Sequence, residues 1–223
     1  YTISDTAGAV LGDTDTVVND GVSGVVVTDA TGAGFVDAAD GVSLTDLEGS
    51  LQVATGDSAA DINFRVEDSA SAIASELAGD NTALDGANDL VVDGGDTDMV
   101  GAANIQSSDA YDAANSDYTI TDSASAILGD TATAIDAGVG AINIEDVVDA
   151  GVGAQLGALE DNLKLESGSG SDVVFDVADL AANIVTNASG LDNARDITVY
   201  DTVNNYVSNA SMSDAETIEG INN

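Results

Sequence analysis

Cysteine, histidine, tryptophan and proline are all missing from this chain of 223 residues. Without cysteine and histidine it can build no thiolate zinc site, no thiol nucleophile and no imidazole general base. A serine triad of the usual form is excluded with them. A chain without cysteine needs neither an oxidising nor a reducing compartment. Lysine and arginine are almost as scarce: Arg65, Lys164 and Arg195 are the whole supply. Such a chain cannot neutralise phosphates, so it binds no nucleic acid and is repelled by anionic membranes. No apolar run approaches the length of a membrane span, so no membrane insertion is expected. Aromatic residues make up only 4 %, which leaves the core to Ala, Val, Ile and Leu.

What is abundant is acid. The sequence holds 33 Asp and 8 Glu, and its formal net charge is −38. The apolar fraction is an ordinary 44 %, so this is a folding chain rather than a disordered acidic tail. Aspartate favours turns, helix caps and hard-cation sites. Self-repulsion on this scale has to be screened by salt or neutralised by bound cations.

The chain repeats itself. Tyr1-Thr-Ile-Ser-Asp5-Thr-Ala returns as Phe64-Arg-Val-Glu-Asp68-Ser-Ala, as Tyr118-Thr-Ile-Thr-Asp122-Ser-Ala and, more loosely, as Phe175-Asp-Val-Ala-Asp179-Leu-Ala. The intervals are 63, 54 and 57 residues. Each copy opens with a short alternating strand and continues into an Ala-rich helix (7–18, 70–84, 124–135, 181–188) capped by the preceding Asp or Ser. A second strand follows, closing on Asp29, Asp93, Asp146 and Asp201. A third, weaker strand is expected at 51–53, 104–106, 163–165 and 217–219.

Parallel strands joined by helical crossovers and repeated along an axis predict an α/β repeat, an elongated parallel β-solenoid with short Ala-rich helices on one face. An all-β Ig-like sandwich is the alternative. One elongated domain over 1–223 is expected, of four units at about 1–63, 64–117, 118–174 and 175–223. The repeat aromatics Tyr1, Phe64, Tyr118 and Phe175 are expected to face inward. The chain starts on a repeat boundary, which reads as a segment cut from something longer.

The strand-closing aspartates are the candidate functional residues: Asp5, Asp68, Asp122 and Asp179 in one set, Asp29, Asp93, Asp146 and Asp201 in the other. In a stacked solenoid, equivalent positions lie about 4.8 Å apart. Two carboxylates at that separation repel by about 3.5 kcal/mol at an effective dielectric of 20. Calcium is the natural counter-ion for such a ladder. The other reading is that each Asp caps the next helix. Asp96, Asp98 and Asp172 join the candidate ligands because they lie in two Gly-rich stretches, Gly94-Gly95-Asp96-Thr-Asp98 and Gly168-Ser-Gly170-Ser-Asp172.

Those two stretches resemble single imperfect copies of the Gly-Gly-x-Gly-x-Asp nonapeptide of the calcium-binding RTX (hemolysin-type) proteins. The whole chain is similar in composition to acidic, Lys-poor repeat regions of giant secreted bacterial surface proteins: adhesins, S-layer components and extracellular filaments. The resemblance implies an extracellular or cell-surface location and a calcium cofactor. It implies a structural, non-enzymatic role, with the segment assembling end to end. The partners would be copies of itself or adjacent repeats of the same parent chain. A carbohydrate-binding adhesin module and a polysaccharide lyase-like solenoid are the alternative functions.

Overall fold

The computed structural model describes residues 1–28, 35–57, 60–168, 170–200 and 221. The chain divides into two compact units, Tyr1–Tyr118 and Thr119–Asn223. The expected strand at 217–219, and Asp29 and Asp201, lie outside the described residues.

The first unit begins with β1 (Thr2–Asp5), α1 (Ala7–Gly12), α2 (Thr14–Val17), β2 (Gly24–Val27), β3 (Phe35–Val36) and α3 (Ala38–Thr55). It continues with β4 (Asp61–Asn63), β5 (Arg65–Asp68), α4 (Ala70–Leu77), β6 (Leu90–Thr97) and α5 (Met99–Ser107). Strand β7 (Asp117–Asp122) leads into the second unit. There α6 (Ala124–Gly129), α7 (Thr131–Ala134), β8 (Val139–Val148), α8 (Ala150–Glu166), β9 (Asp172–Leu180), α9 (Ala181–Asn187) and β10 (Ala194–Tyr200) follow.

The units are two versions of one plan. In the second, β7, β8, β9 and β10 lie side by side in sequence order. The first does the same with two of its strands broken: β2 and β3 together match β8, and β4 and β5 together match β9. The registers show it. Val25 pairs with Ile62 and Val36 with Val66 in the first unit. Their counterparts Ile142 and Val148 pair with Val173 and Val177 in the second. The long helices match residue for residue, with Leu44, Leu47 and Leu51 in α3 and Leu156, Leu159 and Leu163 in α8 all buried.

This is a parallel α/β fold, and it corrects both expected architectures. In a β-solenoid, equivalent strands of successive repeats would be neighbours. Here the first and second strands of the same repeat are neighbours, as in Ile3 with Val25 and Val66 with Leu90. The parallel ladders equally exclude an Ig-like sandwich, whose sheets are antiparallel. The third strands are helix: 51–53 lies in α3, 104–106 in α5 and 163–165 in α8. A buried apolar residue every three or four positions behind an Asp cap fixes that outcome, with leucines in α3 and α8 and Met99, Ala102 and Ile105 in α5.

Two glycines let the long helices settle onto the sheet. A Cβ at Gly41 would come within 2.7 Å of the Val66 side chain, and one at Gly153 within 3.0 Å of Val177. Phe64, Tyr118 and Phe175 are buried as expected, whereas Tyr1 is 65 % exposed.

Candidate functional site

In a parallel sheet with helical crossovers, every helix begins where a strand ends, so helix N-termini gather along the carboxyl edge. Their first N–H groups need acceptors, and the macrodipole favours negative charge there. The repeated aspartates supply both. The Asp5 Oδ1 accepts from the Thr6 N–H at 2.8 Å, Asp68 Oδ1 from Ser69 at 2.7 Å, and Asp122 Oδ1 from Ser123 at 2.7 Å.

The second carboxylate oxygen reaches sideways. Asp68 Oδ2 accepts from the Ala38 N–H at 3.1 Å, Asp146 Oδ2 from Ala124 at 3.2 Å and Asp179 Oδ2 from Ala150 at 3.1 Å. Each of these helices follows a neighbouring strand, so the Asp68 and Asp179 carboxylates each tie two crossovers together. Asp179 also takes the Leu180 N–H at 2.7 Å and the Asn183 side chain at 2.8 Å. Burial pushes its carboxyl up, but the bonds from Asn183, Leu180 and Ala150 outweigh it and hold the group below the ordinary carboxylate range.

The remaining candidates are spread out. Asp93 and Asp96 are exposed on β6, Asp98 caps α5 through the Gly101 N–H at 2.7 Å, and Asp172 is exposed at the start of β9. In these pairings Asp68 lies opposite Val92 and Asp179 opposite Val199, so neither faces a carboxylate across the ladder. Among the described residues, no group of three or more carboxylates is placed to hold a metal ion.

Several further edge residues follow from a signal that was available. Asp37 and Asp149 cap α3 and α8, accepting from Asp40 and Val152 at 2.8 Å each. Both stand in Asp-Ala-x-x-Gly ahead of a leucine period. Away from the edge, Asp13 and Asp130, in the twice-used Leu-Gly-Asp-Thr, cap α2 and α7, which follow α1 and α6 rather than strands.

The three basic side chains are all committed within the chain. Arg65 pairs with Asp89 through Nε at 2.9 Å, Lys164 pairs with Glu160, and Arg195 makes a two-pronged pair with Asp176 at 2.9 and 2.6 Å. Arg195 holds the Asp176 carboxyl below its ordinary range, and Glu160 pushes the Lys164 ammonium up. The uncompensated carboxylates are the dominant electrostatic fact of the molecule.

No family model and no curated protein matches the chain. Among solved structures it is similar to dihydrodipicolinate synthase from Rhodopseudomonas palustris, at 13 % identity over 89 % of this chain and 69 % of that one, with a TM-score of 0.24. It is also similar to a homocysteine methyltransferase from Escherichia coli, at 10 % identity over 99 % and 95 % of the two chains, again with a TM-score of 0.24. Likeness that faint carries no reaction or substrate across.

The expectation of a non-enzymatic structural segment assembling end to end is nonetheless corrected. It rested on the open coils of a solenoid, which the strand order replaces. The carbohydrate-binding adhesin and the lyase-like solenoid fall with the same architecture.

Proposed function

We propose that the chain is a calcium-loaded α/β domain, carried outside the cell by one of the large acidic bacterial proteins that its composition resembles. One observation carries this reading: a net charge of −38 in a chain whose three basic side chains are each paired internally. The counter-charge must therefore come from solution. Calcium suits exposed aspartates because it takes oxygen ligands in irregular geometry and keeps waters where protein oxygens are missing. Carboxylates already holding two N–H groups have lone pairs left for such an ion. The sites are expected to be many and weak rather than few and caged.

Isothermal calorimetry tests this. The chain is titrated with calcium, and in a parallel run with sodium chloride matched in ionic strength. A saturable calcium isotherm that the sodium run does not reproduce supports the reading. Identical behaviour of the two salts overturns it.

A further inference from the structure

The carboxyl edge leaves one face of the second unit unused. Helix α8 lies on the face that carries Phe175 and Val177, since a Cβ at Gly153 would meet both. On the opposite face, Val174, Asp176 and Ala178 of β9 are half-buried, and Val147 of β8 is 63 % exposed. Parallel sheets are normally covered on both faces, which makes an exposed valine in a central strand notable.

The first unit shows what fits there. Phe35 is the counterpart of Val147 and Arg65 the counterpart of Asp176, for the registers pair Phe35 with Arg65 and Val147 with Asp176. In the first unit the Arg65 guanidinium lies 4.0 Å from the centre of the Phe35 ring, anchored on Asp89. The apolar spot is thus covered by a cation from the same chain. In the second unit the covering residue has become an aspartate, and Arg195 reaches that aspartate from β10, on the side of β9 away from β8. Exposed Glu145 stands two residues before the open valine on β8, and exposed Asp196 of β10 lies opposite Asp176.

We infer that this open face around Val147 and Asp176 is a docking surface for a basic polypeptide segment of another protein, with an arginine side chain taking the place that Arg65 fills in the first unit. The exposed valine calls for an aliphatic or guanidinium plane rather than a hydrated ion. The surrounding carboxylates call for positive charge and repel nucleic acid and anionic lipid. Calcium at the carboxyl edge satisfies neither requirement, so this inference does not depend on the calcium reading.

A fluorescent peptide of alternating arginine and valine is the probe, with anisotropy read on the full chain at physiological salt and with calcium present. One site is expected. Val147→Asp should weaken binding by about tenfold although it adds a negative charge, and Arg65→Ala, which uncovers Phe35, should raise the stoichiometry to two. Asp176→Arg should abolish the site far more than Asp15→Arg, which changes the net charge equally from the exposed surface of α2. Unchanged or tighter binding to the Val147→Asp chain would mean that bulk charge alone attracts the peptide and would overturn the inference, as would no binding to the native chain.

Discussion

Asp179 shows how much one residue does at the carboxyl edge. It stands next to last in β9, accepts from the N–H of Ala150 at the start of α8 and from that of Leu180, the N-cap of α9, and is bonded by Asn183. Asp179→Ala removes the acceptor for both helices and is expected to cost about 2 kcal/mol in urea unfolding, at the upper end for a cap. Glu48 is the contrary case. Burial first, and then the Asp61 carboxylate, push its carboxyl up, although the Ile62 N–H opposes them. A raised acid binds its proton more tightly in the folded state, so this residue adds stability as pH falls through its folded value. Asp176 and Asp179 are held low, and their contribution is lost only as pH falls further, through their own folded values. Melting points taken between about pH 7 and pH 4 should therefore rise in mild acid, and less so in Glu48→Gln. An equal rise in the two chains would show that Glu48 has no part in it. The strand-closing aspartates were legible in the sequence as caps or ligands. Their sideways bonds were not, because these depend on which helix begins beside which strand.

At the scale of elements, the alternating Tyr/Phe-x-Ile/Val-x-Asp stretches form strands and the Ala-rich stretches after them form helices. Pattern and structure part at the long helices α3 and α8. Leu51-Gln-Val53 and Leu163-Lys-Leu165 alternate over three residues, and that short pattern masks the period that Leu44, Leu47 and Leu51 share. Val53 and Leu165 are 84 % and 81 % exposed, so the apparent strand faces were in fact one buried and one solvent-facing side of a helix. Close approach was also illegible. A Cβ at Gly157 of α8 would lie 2.3 Å from the Gly190 carbonyl oxygen, a backbone atom that cannot step aside. Gly157→Ala is expected to cost about 1–3 kcal/mol. Gly8 in α1 has nothing within 4 Å of the same probe position, so Gly8→Ala should gain about 0.5–1 kcal/mol. Chemical denaturation of both variants checks the pair, and similar effects in the two would contradict this account of the α8 contact.

For the molecule as a whole, the four short repeats visible in the sequence resolve into two larger copies of one parallel plan. Pairing cannot be read from such motifs, since a stacked coil and an α/β crossover both place alternating strands and Ala-rich helices in the same order. What the composition did convey is the charge problem, and internal pairing of every basic side chain sharpens it. Screened repulsion among so many carboxylates weakens the compact state, and any cation that binds the native chain selectively stabilises it by mass action. The most direct measurement is thermal melting at fixed ionic strength, in chelator and in millimolar calcium, with a third sample in concentrated sodium chloride. The melting point in calcium is expected to lie well above that in chelator, by a margin that corresponds to about 4 kcal/mol at a thousandfold excess over Kd. Melting points in chelator and calcium that agree within about two degrees, or a rescue by sodium chloride equal to that by calcium, would contradict it.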